Sequence, residues 1–121
     1  MKRYFDLIRS ILLQAEAVPP GQPWLQSIVW EGEPITASDV AQHVALMVEH
    51  GLIEGKVTSV AQGAFGIGPL TWKGHDFLDA ARSETIWNEG KAKLAKVGGA
   101  ASLEILKAVL AQIAKAHLGL P

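Results

Sequence analysis

Ser38-Asp39-Val40-Ala41-Gln42-His43-Val44-Ala45-Leu46-Met47-Val48-Glu49-His50-Gly51-Leu52-Ile53 is the stretch whose reading decides the fold. Val40, Val44 and Met47 recur at helical steps and so form one apolar stripe. The spacing predicts a helix from about residue 37 to residue 50. The Ser38 hydroxyl is placed to cap its start. Gly51 is placed to take the left-handed conformation that ends it. Leu52 and Ile53 then open a strand.

Working outward, residues 2–16 read as helix one, with Phe5, Ile8, Leu12 and Ala15 on a shared face. Pro19-Pro20-Gly21 and Pro23 stop it and stiffen the loop that follows. Trp24 to Trp30 suits a short strand, and Glu31 to Pro34 a turn. Residues 52–59 and 66–71 read as a hairpin, with Gly63, Gly66 and Gly68 loosening its tip and second strand. Thr71 is placed to cap a third helix that starts at Trp72 and continues its apolar face through Phe77, Leu78 and Ala81. Ser83 caps a further helix through Ile86, Trp87, Leu94 and Val97, which Gly98-Gly99 ends. Ser102 caps the last, over 103–117.

This pattern is mainly α with a small β wing, an α+β class. It predicts a single domain: a winged helix-turn-helix-like core over 1–82 with a C-terminal helical extension over 83–121. Val40 to Ile53 resembles the recognition helix of small winged-helix repressors as it runs into the wing. Two features depart from that pattern. Only Glu31 to Thr36 separates the first strand from helix two, so the usual preceding helix is missing. Gln42 and Ala45 stand near His43 where such repressors often carry basic residues.

A second resemblance covers nearly the whole chain. Asp6-Leu7-Ile8-Arg9 with Ile11-Leu12-Leu13, His43 ahead of Gly51-Leu52-Ile53, Leu70 to Arg82, Thr85-Ile86-Trp87 and Leu103-Glu104-Ile105-Leu106-Lys107 together resemble the bacterial and prophage family called domain of unknown function 2513. Leu70-Thr71-Trp72-Lys73-Gly74-His75 is the most specific part. The resemblance implies the fold and brings no established activity.

The 121 residues fit one domain able to bury a core without staples. Hydrophobic residues make up 49% and charged ones 19%, a composition that folds. The net charge of −1 argues against strong non-specific nucleic-acid binding, which rests on neutralising phosphates. With no cysteine, disulfides and thiolate zinc sites are excluded. Asp6 and Arg9 interrupt the apolar run Tyr4 to Leu13, so it does not read as a signal peptide. The long uncharged stretch Val57 to Trp72 is broken by glycines and Pro69, so no membrane span is expected. The expected location is the cytoplasm.

A DNA-reading helix reaches base edges with Arg, Asn, Gln or Lys and phosphates with Lys or Arg. Helix two holds no Lys or Arg. The candidates for contact with DNA or a partner are Ser38, Asp39, Gln42 and His43 on helix two, with Lys56 and Lys73 near the wing base. Asp39 and Glu49 would repel phosphates. His43 reads either as a polar contact on that helix or as a half-buried, hydrogen-bonded residue. His75 and Asp79 lie one turn apart, but two ligands make a poor metal site. Gly63-x-x-Gly66-x-Gly68 is separated from the next helix by Pro69, Leu70 and Thr71, so wing is a better reading than a dinucleotide loop. No nucleophile or paired-carboxylate arrangement stands out. The expectation is a protein that is not an enzyme and holds no metal or cofactor. Trp24, Trp30, Trp72 and Trp87 fit a core or an interface better than a ligand pocket.

The last helix has a wide apolar face, on which Leu106, Val109, Leu110 and Ile113 are candidates for a homodimer interface. The alternative is that they complete the chain's own core against helix one and Trp87. Two functions compete. One is a small DNA-binding transcriptional regulator of phage origin. The other is a winged-helix module turned to contacts with a host or phage protein, as an accessory or anti-defence factor without DNA binding.

Overall fold

The computed structural model of the chain describes residues 2–97 and 103–119. In order they form α1 (Phe5–Glu16), α2 (Ala37–Glu49), β1 (Ile53–Ser59), β2 (Ala64–Leu70), α3 (Trp72–Ala81), α4 (Glu84–Val97) and α5 (Leu103–His117). The protein is α+β, with five helices and one two-stranded antiparallel sheet among the described residues. It divides into two compact units, Met1–His75 and Asp76–Pro121, and the division falls inside α3 rather than after it. The bonds explain this position. The start of α3 is tied to residues 50–52, between α2 and β1, whereas Phe77 packs edge-on against Trp87 at 6.5 Å.

In the first unit α1 buries Leu7, Ile8, Ile11, Leu12 and Ala15, two adjacent rows of one helical face. It begins at Phe5, later than the apolar pattern suggests, because Tyr4 is extended and serves as N-cap through its backbone alone. Phe5 stands half-buried at the rim of that face.

α2 is capped by Thr36 and not by Ser38. The Thr36 hydroxyl accepts from Asp39 N–H at 3.1 Å, and the Asp39 carboxylate accepts from Thr36 N–H at 2.8 Å. This reciprocal pair satisfies two backbone donors at once, where Ser38 would satisfy one. Ser38 lies inside the first turn and donates to the Ala61 carbonyl at 3.1 Å. At the other end Gly51 has φ +73°. Leu52 N–H bonds Met47 O at 2.9 Å and Gly51 N–H bonds Val48 O at 3.0 Å, the double bond pattern of a glycine-terminated helix.

β1 follows at once and pairs with β2 in antiparallel register, Ile53 opposite Leu70 and Lys56 opposite Gly66. The second strand starts at Ala64, earlier than residue 66. Ile53 is buried, while Glu54, Lys56 and Thr58 face outward. The inner face lies on α2. A Cβ on Gly55 would meet Val48 Cγ2 at 3.0 Å. The hairpin turn rests on the start of α2, since a Cβ on Gly63 would strike Ala37.

The strand expected over Trp24 to Trp30 shrinks to a single bridge. Leu25 and Ile67 exchange both backbone bonds, at 3.0 and 2.8 Å. Beyond it the backbone finds other partners. The Gln14 side-chain amide accepts from Val29 N–H and donates to Val29 O, both at 2.8 Å. Trp30 folds over Gly32 and donates to Glu33 O at 2.8 Å. A strand needs those same groups for a ladder.

In the second unit Ser83 caps α4 by accepting from Ile86 N–H at 3.3 Å. α4 buries Trp87 and Leu94, and α5 buries Leu106, Leu110 and Ile113. The two helices approach closely at Gly90, where a Cβ would stand 2.6 Å from Leu110 Cδ2. His117 Nε2 and Glu89 Oε1 pair at 3.1 Å. The expected stop at Gly98-Gly99 and the Ser102 cap lie outside the described residues.

Two glycine substitutions separate a rigid contact from a yielding one. Gly74 faces the Leu52 carbonyl, a backbone atom that cannot turn aside. Gly74→Ala is expected to destabilise the protein by about 3 kcal/mol or more in urea denaturation. Gly90 faces the tip of a leucine side chain, and alanine suits a helix interior better than glycine. Gly90→Ala is expected to stay within about 1 kcal/mol of the unaltered protein.

Candidate interaction surface

The helical wheel of α2 sets Ser38, Asp39, Gln42, Ala45, Leu46 and Glu49 opposite its buried residues Val40, Ala41, Val44 and Met47. This outward face carries two carboxylates and no cation. Its polar groups are partly engaged already. Ser38 holds the hairpin turn and Asp39 closes the cap. The Thr36 backbone N–H, and after it the Thr36 side chain, hold the Asp39 carboxyl below its ordinary value of 3.8. Gln42 is half-buried, and Glu49 is exposed.

His43 does not belong to this face. It is 1% exposed and both of its nitrogens are engaged. Nε2 accepts from Tyr4 N–H at 3.0 Å, and a backbone amide can only donate. Nδ1 therefore carries the hydrogen and donates to Asp39 O at 2.7 Å. The Tyr4 ring lies against the imidazole at 5.7 Å. His43 thus pins the start of α1 to α2 and is no surface contact.

The two lysines stand apart. Lys56 is exposed on the outer side of β1. Lys73 reaches the far end of α2 and donates to His50 O at 3.1 Å. There it satisfies a terminal carbonyl and complements the negative end of the helix dipole. Ser38 and Asp39 therefore gather at one end of α2 and Lys73 at the other. The first unit as a whole has five basic residues (Lys2, Arg3, Arg9, Lys56, Lys73) against seven acidic ones.

Thr71 caps α3 as its position implies. Its hydroxyl accepts from Gly74 N–H at 3.0 Å and donates to Gly51 O. His75 pairs with Glu16 at 3.8 Å, and Asp79 with Arg82 at 3.2 Å. No group of three or more metal-ligating side chains occurs among the described residues.

Trp72 is the surface residue that the sequence reading missed. It is 83% exposed. The signal was present: on the wheel of α3 it shares a side with His75, Asp76 and Asp79, opposite Gly74, Phe77, Leu78 and Ala81. It does not continue the apolar face. The other tryptophans differ from it. Trp87 is core, Trp30 folds over its own loop, and Trp24 lies 47% exposed across Gly66 and Gly68 of β2.

The interface candidates of α5 are placed by α4. Leu106, Leu110 and Ile113 are buried by the chain itself, and Val109 is half-buried. Leu106 and Leu110 both approach Gly90. These side chains do not form an open face.

Fold and surface together define a small α+β protein whose distinctive polar residues mostly bond within the chain. It belongs to the family described as hypothetical protein (DUF2513), whose model matches residues 2–101 and so ends ahead of α5. The chain is also similar to an uncharacterized protein of Haemophilus influenzae, 34% identical over 110 residues, which are 90% of this chain and 92% of that protein. No solved structure matches the chain. Among the described residues no helix is long and apolar enough to cross a membrane.

Two outcomes test the roles given to His43 and Asp39. His43→Leu leaves the part-buried Tyr4 N–H without its acceptor, so a loss of about 1–3 kcal/mol is expected, with faster hydrogen exchange at Tyr4. A carboxyl lowered in the folded chain supports the fold above its unfolded value, and that support is lost as pH falls through the folded value. The contribution of Asp39 is therefore complete at neutral pH and declines below 3.8. Acid titration of helical circular dichroism is expected to show a weaker pH dependence in Asp39→Ala.

Proposed function

We propose that this chain is a winged-helix-like module that works through protein contacts, without reading DNA and without catalysis. The element order supports the winged-helix-like reading. One helix, a strand reduced to Leu25, the helix α2 and a hairpin follow in sequence. Leu25 pairs with β2, the second strand of the hairpin, which puts β2 between the other two.

The observation that carries the choice of partner is the outward face of α2, with Asp39 and Glu49 and no Lys or Arg. In DNA recognition such a face meets phosphates, and carboxylates there are repelled. The lysine at the end of α2 has its ammonium on the His50 carbonyl. Trp72 favours a protein partner. A large amphipathic ring left in water on a rigid first helical turn is the kind of group that supplies binding energy at protein interfaces.

Fluorescence anisotropy with mixed-sequence duplex DNA tests the exclusion. Binding weaker than about 10 μM is expected at physiological salt, within the non-specific range. Tight binding that is lost in Gln42→Ala or in Lys56→Ala would overturn the reading. Affinity capture from the native cell tests the positive claim, comparing the unaltered chain with Trp72→Ala. The substitution removes an exposed ring and is expected to leave stability within about 0.5 kcal/mol. A specific partner is expected to be retained by the unaltered chain and lost by Trp72→Ala.

A further inference from the structure

We draw no further inference here: the strongest candidate, the outer face of the β1–β2 hairpin where the half-exposed Trp24 indole lies over Gly66 and Gly68 on the side that also carries Lys56, is an unpartnered face, and nothing in the structure shows what covers it.

Discussion

The end of α2 leaves three consecutive carbonyls, those of His50, Gly51 and Leu52, and residues 71–74 receive all three. Lys73 donates to the first, the Thr71 hydroxyl to the second and the Thr71 N–H to the third. Gly74 lies so close to the Leu52 carbonyl that no side chain fits between them. Carbonyls at a helix end have no partner within their own helix, so some other group must supply one. Here one short segment does so while it also begins the next helix. The direction in which the chain leaves the hairpin is thereby tied to the place where α2 stops. His75 extends the junction to α1 through Glu16.

The other end of α2 is held by different means. Its cap is local, Thr36 with Asp39, but two distant segments also meet it. The hairpin turn rests on Ala37 and accepts a bond from Ser38. The N-terminal arm reaches His43 through the Tyr4 amide. Glycine makes the close approaches possible. Gly55 admits Val48, Gly63 admits Ala37, and Gly66 with Gly68 makes room for the Trp24 ring. Two of the three glycines weighed as a dinucleotide loop, Gly66 and Gly68, are a seat for an indole.

This arrangement makes the segment from Leu70 to His75 mainly structural. In Leu70-Thr71-Trp72-Lys73-Gly74-His75, Leu70 is core, Thr71 and Lys73 cap, Gly74 grants close approach and His75 meets Glu16. Trp72 alone points its ring into water. On α2 the same division holds. Its inward residues pack, Ser38 and Asp39 bond within the chain, and what remains outward is weakly acidic.

Local physics was legible in the sequence. The apolar period of α2, the left-handed Gly51, the Thr71 and Ser83 caps and the span of α5 each follow from a few neighbouring residues, and the structure keeps them. The α+β class was legible for the same reason, and the family by resemblance. Choices among competing partners were not. Whether Ser38 or Thr36 caps α2 depends on Ala61 taking the serine hydroxyl. Whether Trp24 to Trp30 forms a strand depends on Gln14, fifteen residues from Val29. Whether His43 and the α5 leucines face water depends on Tyr4 and Gly90. By itself the sequence determined the helices and the glycine exit of α2, because those energies are settled within a turn or two of chain. Only the tertiary structure decided which polar and apolar groups stayed exposed, because that depends on residues brought together from distant positions.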